Sequence, residues 1–336
     1  KARPRQSSRN FHLQATRAAK RTAEIQLMNG ADAALGSGKI KSLILPRFQA
    51  LIEFVKGFEL VQVVSLLTLF LAVIFGFEDW LFETTARICL LLFLLRPNAI
   101  RNPVFWLALS VSGTVVIIMD WQAADNHKYL LLYWLWVLFF CHLFTEPEQK
   151  RRTIVFNARF FLCFIFLAAV AQKLSSPTYR SGEMFEYFLY VDSRFTAFGK
   201  LIGIDPSVPD AVQKSVAFFR SPFSQVINNE LVLPGCDRAR VAALAFTWWD
   251  VSLQLLIGSL LLVRRPVTDK FAHILLLFFI LTTYLPAPVF GFGWILGIMG
   301  FALAKEKFPR IAAVYMICFV VILLYQVPWR EWVLAA

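Results

Sequence analysis

Residues 153–172 read TIVFNARFFLCFIFLAAVAQ, with Lys173 directly after them, and this stretch decides the fold. Its length is what a helix needs to cross a hydrocarbon core roughly 30 Å thick, and Arg159 is its only charge. Inside such a core every backbone N–H and C=O must find a partner within the segment, so the run is a helix. Outward from it, comparable apolar runs occupy 58–77, 80–96, 103–119, 129–145, 240–263, 270–285, 289–304 and 311–326. The runs at 80–96 and 289–304 are short, and 270–304 also reads as a hairpin broken at Pro286 and Pro288. Eight spans is therefore the alternative count. The expectation is an all-α integral membrane protein with about nine transmembrane helices and a helical cap on its outer face.

Composition agrees. The chain of 336 residues is 58% hydrophobic and 17% charged, whereas soluble domains sit at roughly 45–50% apolar and about 25% charged. Its 34 Phe and 10 Trp suit surfaces that meet lipid and the headgroup zone.

The net charge of +12 is distributed in a telling way. With the N-terminus inside, the inner connections hold Arg96 and Arg101, then Lys150 to Arg152, then Arg264, Arg265 and Lys270, then Lys305, Lys307 and Arg310. The short outer connections hold Glu78, Asp79 and Glu83, and then Asp120 and Asp125 with Lys128. The positive-inside rule therefore puts the N-terminus on the cytosolic, stromal or matrix side and the C-terminus on the outer or lumenal side. Charge placed this way attracts anionic lipid, and no nucleic-acid motif accompanies it, so membrane lipids are expected partners and nucleic acid is not.

Residues 1–57 form a basic N-terminal arm followed by an interfacial helix. The first 50 residues carry ten Lys/Arg against Glu24 and Asp32. The first 21 carry no acidic residue, which fits either an organelle transit peptide or a cytosolic arm. Such an arm can dock onto other subunits of a membrane complex. At 45–57, Phe48, Leu51, Ile52 and Val55 make an apolar stripe suited to lying on the membrane. The GSGK at 36–39 is not a phosphate loop, because Ala33 and Ile40 break the pattern. Cys89, Cys141, Cys163 and Cys318 lie in apolar runs and Cys236 in a polar one; with no CxxC pair, neither a disulfide nor a metal is expected.

Residues 58–326 form the polytopic domain, with a tail at 327–336. Its one long connection, 174–238, holds ten Phe/Tyr, too aromatic for a structureless linker. Stretches 183–198 and 209–220 read as short helices with one greasy face. They predict an ordered cap over the outer end of the bundle.

Ionisable groups inside or at the ends of spans are the candidates for chemistry, because hydrocarbon makes them costly. They are His127, Arg159, Lys173, Asp250 and His273. His127 and Lys173 both fall at the outer face under the cap. Arg159 precedes Lys173 by 14 residues, which places it ~21 Å deeper along the helix, near the inner side. A Lys desolvated beneath an aromatic lid becomes a base at neutral pH, and a neighbouring His can hydrogen-bond to a developing oxyanion. The plainer reading stays open: a Lys that snorkels to water and a solvated His.

The segments DNHKYLLLYWLWVLFF and FNARFFLCFIFLAAVAQKLSSPTYRSG resemble the membrane domain of the vitamin K-dependent gamma-carboxylase family, the HTTM domain. The matching positions are Asn126, His127, Tyr129 and Leu130, then Arg159, Lys173, Leu174, Tyr179 and Gly182. Asp250 and His273 are similar to an acidic residue and a His that the family carries further on. The resemblance implies a nine-helix fold with its active face outside. It also implies that Lys173 deprotonates a vitamin K-type quinol, that His127 supports it, and that Asn126, Tyr129, Arg159, Tyr179, Asp250 and His273 line the site.

Three departures accompany the match. Tyr179 stands where the family has Trp, the spacing from Lys to Gly is one residue longer, and Gln172 replaces a second Lys. The sequence runs ten residues past its last apolar run, where the carboxylases carry a lumenal domain that holds their peptide. The expectation is a quinol-binding or quinol-oxidising membrane protein with quinone and lipid as ligands. The other reading is a non-catalytic subunit of a larger membrane complex that binds lipid or quinone. Transport has no inverted repeat to support it.

Overall fold

The computed structural model describes residues 49–53, 56–121, 126–205, 207–212, 237–284 and 289–326. The basic arm at 1–48, the end of the second cap stretch from 213 and the tail at 327–336 lie outside them. The chain divides into two units, Lys1–Phe54 and Val55–Ala336. In the first, 49–53 is helical, within the expected interfacial helix.

Among the described residues the second unit is helical, with no strand. Its elements are α1 (Leu60–Ile74), α2 (Trp80–Leu95), a 3-10 turn (Pro97–Arg101), α3 (Pro103–Met119), α4 (Asn126–Leu143) and α5 (Pro147–Ser175). There follow α6 (Pro177–Arg180), α7 (Glu183–Val191), α8 (Thr196–Leu201), α9 (Asp237–Val263), α10 (Pro266–Tyr284), α11 (Phe290–Ala304) and α12 (Pro309–Gln326). Each apolar run named from the sequence is a helix. Three of these helices, α5, α9 and α10, are long and apolar enough to cross a membrane on their own.

The boundaries follow local chemistry. Asp79 and Asn102 cap α2 and α3 by accepting from the backbone N–H of Leu81 and Val104. Pro103 and Pro147 occupy the first turns of α3 and α5, where a missing N–H costs nothing. α5 runs 29 residues because its apolar span continues into the polar turns at both ends.

α11 is the hub and packs against α1, α4, α5, α10 and α12. Its residues from Trp294 to Ala304 are buried all round, as an apolar helix inside a bundle must be. Trp294 donates its indole N–H to the Leu67 carbonyl of α1 at 3.0 Å. Toward α12 the hub carries glycine, and a Cβ on Gly300 would fall 2.5 Å from the Tyr315 ring. By contrast, Phe156, Phe160 and Phe164 form an exposed row at i, i+4, i+8 along α5. An apolar row of that kind is suited to lipid.

The connections sort by charge. Arg101 and Lys150 line one cavity, Arg151 pairs with Glu306, and Lys307 stands 3.8 Å from Asp269. The α2–α3, α4–α5, α9–α10 and α11–α12 connections therefore meet at one basic end. At the other end Lys128 of α4 reaches Glu78 in the α1–α2 connection at 3.9 Å.

The cap has its own small core. Leu189, Tyr190, Phe195, Ile204 and Val212 bury against Ala239 and Ala243, which belong to the first turns of α9. The expected helix over 183–198 is instead α7, a 3-10 turn at Ser193–Phe195 and the start of α8. The break falls where Asp192 turns its carboxylate to the Arg194 backbone N–H and guanidinium.

Replacing Gly300 by Ala should push Tyr315 off the hub and lower the melting temperature of the detergent-solubilised protein, at a cost of about 1–3 kcal/mol. The same change at exposed Gly57, where a Cβ meets nothing, should leave it unmoved.

Candidate functional site

Lys173 lies in the last turn of α5, where that helix leaves the bundle for the cap. Its ammonium forms an ion pair with Asp250 of α9 and donates to Gln254 Oε1 at 2.9 Å. Gln254, one turn beyond Asp250, donates from Nε2 to the other carboxylate oxygen at 2.8 Å. From α6, the Tyr179 hydroxyl donates to Asp250 Oδ2 at 2.9 Å, and its ring lies 5.3 Å from the Lys173 ammonium. The two charged side chains are only 18% and 12% exposed. A buried pair persists when its remaining donors and acceptors are also satisfied, and here both carboxylate oxygens are used.

The turn that aims Tyr179 is specific. Ser176 accepts from the Tyr179 backbone N–H to start α6. Gly182 then takes φ +83°, and a Cβ there would sit 3.1 Å from the Leu244 backbone nitrogen. Glycine alone lets the chain lie this close to α9 and reverse into α7. Burial, reinforced by the Asp250 carboxylate, pushes the Tyr179 phenol well above its usual 10. Tyr179 is therefore a hydrogen-bond donor across the physiological range.

Asp250 also faces the cap. It helps line a cavity of about 170 Å³ walled by Phe185, Phe188, Phe246 and Trp249, with Thr282 and Thr283 of α10 as further polar groups. A larger cavity, about 600 Å³, runs between α4 and α5. Asn126, Tyr129 and Gln172 stand at its upper end, with Trp136, Phe160 and Phe164 further down. The Lys173–Asp250 pair does not line it.

The remaining candidates are dispersed. His127 and Phe75 flank Gly291 at the start of α11, and the hydrogen bonds of Lys173 run to α9 instead. Tyr129 donates its hydroxyl to the Trp121 carbonyl at 2.8 Å. Arg159 sits near the middle of α5, 14 residues before Lys173, in a second polar site. There it grips Asp269 of α10 with two hydrogen bonds, 2.7 and 2.9 Å, and donates to the Leu261 carbonyl at 2.8 Å. His273, one turn beyond Asp269, hydrogen-bonds the Tyr315 hydroxyl at 3.2 Å.

Three partners escaped the sequence reading: Gln254, Asp269 and Tyr315. Gln254 stands one turn from Asp250 on a single helix face, which was the available signal. Asp269 is the only acid within the basic run 264–270, which was its signal. Among the described residues no group of three or more His, Cys, Asp or Glu is arranged to hold a metal.

Asp269→Asn leaves Arg159 half-paired in the bundle and should destabilise the protein by about 3 kcal/mol. The double replacement Arg159→Met with Asp269→Leu should recover most of that loss. Thermal melts in one detergent compare all three. No family model, curated protein or solved structure matches the chain, so the site rests on its own geometry.

Proposed function

We propose that this chain is a nine-span membrane protein that binds a quinol or quinone beneath its outer cap and moves a proton through the Lys173–Asp250 pair. The observation that carries the reading is that pair, buried and joined by Tyr179 and Gln254 at the edge of an aromatic cavity. Phe185, Phe188, Phe246 and Trp249 offer flat apolar walls to a ring, while Asp250 and Thr283 offer polar ends to its oxygens. A quinol supplies two ionisable hydroxyls and a two-electron couple.

Lys173 as an ammonium cannot act as a base. It first passes a proton to Asp250, and the neutral amine then takes one from a hydroxyl of the bound ring. Tyr179, kept protonated, donates to the oxygen left behind. This replaces His127 with Asp250 as the working partner of Lys173. The N-terminus lies on the inner side, the cap on the outer or lumenal side, and an organelle membrane suits the basic arm. The groove between α4 and α5 takes a lipid or quinone tail.

A second reading has its own support. The two charges of α5 that face into the bundle are paired, Lys173 to α9 and Arg159 to α10, which suits staples in a non-catalytic subunit that uses the arm to dock.

Trp249 lines the cavity, so a short-chain naphthoquinone that binds there should quench its fluorescence in detergent, and Trp249→Phe should abolish that component. Asp250→Asn, which keeps the shape, should weaken binding about tenfold. With dioxygen supplied as the electron acceptor, Lys173→Met should slow quinol oxidation by roughly 10²–10⁴. Unchanged quenching and oxidation in folded variants would leave the staple reading standing alone.

A further inference from the structure

The basic end of the bundle holds a second cavity, about 230 Å³, distinct from the site under the cap. It lies where the start of α1, the 3-10 turn before α3, the end of α4 and the start of α5 converge. Arg101, Lys150, Glu59, Gln62, Ser65 and His142 supply its polar groups. That volume is several times the ~30 Å³ share of one water molecule.

His142 is the unusual member. It is 6% exposed, stacked flat on Trp106 at 5.9 Å, and its Nε2 meets the Ser65 hydroxyl at 3.1 Å. Its Nδ1 is buried with no hydrogen-bond partner. An orphaned ring nitrogen in a bundle is costly, and a bound polar ligand that reached it would remove that cost.

The charges fix what such a ligand is. Arg101 is offset by Glu59 at 3.9 Å. Among the described residues no carboxylate lies within ion-pair distance of the Lys150 ammonium. The cavity is left with one positive charge to match. Glu146, which precedes α5, gives the first-turn N–H groups no side-chain acceptor, so the start of α5 adds donors to the same rim.

We propose that this cavity binds a singly charged phosphate group, held by Lys150 and Arg101 with His142 Nδ1 as a third contact, and that its source is a phospholipid headgroup. Lys150 and Arg101 stand at helix ends, the level of headgroups, and the neighbouring helix faces are apolar. One negative charge from a phosphodiester then neutralises the site.

The test uses the full chain in an uncharged detergent. Dioctanoyl phosphatidylglycerol should raise its melting temperature saturably, and dioctanoylglycerol, which lacks the phosphate, should not. Lys150→Gln with Arg101→Gln should weaken the phosphatidylglycerol response about tenfold or more, read as the shift from that variant's own unliganded melt. Arg87→Gln, a control on α2 away from the cavity, should respond as the wild type does. An equal shift with inorganic phosphate alone would keep the anion site but assign it to a soluble ion. No shift from either, or an undiminished shift in the double variant, overturns the proposal. His142→Phe, which keeps the stacking ring without its nitrogens, should weaken the response by a smaller factor; an unchanged response would remove His142 from the site.

Discussion

A charge inside an apolar bundle must find its opposite there, and α5 carries two. Arg159 at mid-helix and Lys173 in the last turn are each answered by a carboxylate from a single neighbouring pair of helices, Asp269 on α10 and Asp250 on α9. The cost of leaving either charge alone is several kcal/mol, larger than any one packing contact nearby. The relative placement of α5, α9 and α10 is therefore set by electrostatics first, and the aromatic contacts fill in around it.

The rest of the bundle is organised by shape. α11 is apolar on every side and needs neighbours on every side, which it finds in five helices. Small residues let it sit close to α12, and its one polar side chain, the Trp294 indole, donates to the Leu67 carbonyl of α1. Around this hub the helix ends divide into a basic set and a less basic set, each with its own cavity.

Much of this was legible in the sequence. The helices were, because nine apolar runs separated by charged or proline-bearing turns leave little freedom. The height of each charge along its helix was legible too: Arg159 and Lys173 lie about 21 Å apart along α5, as 14 residues of helical rise require. What a sequence withholds is rotation about the helix axis. His127 and Lys173 share an end of the bundle and were read as a pair, yet Lys173 turns toward α9 while His127 points at the start of α11. Asp269 was read past because, among Arg264, Arg265 and Lys270, one acid looks like part of an ordinary charged turn. His142 carried no signal at all, since its burial depends on Trp106 and Ser65, far away along the chain.

α9 begins inside the cap and ends at the basic side without interruption, so Ala239 and Ala243 belong to the cap core while Leu261 receives Arg159. A helix pinned at both ends cannot slide: a shift of one turn, about 5.4 Å, would break the Lys173–Asp250 pair and the Arg159–Leu261 hydrogen bond in the same movement. The cap therefore rides on a register-locked frame, and its first turns cannot tilt without bending the rod that carries Asp250. The walls that α7 gives the aromatic cavity, Phe185 and Phe188, follow directly on the Gly182 turn, with α9 as the fixed post.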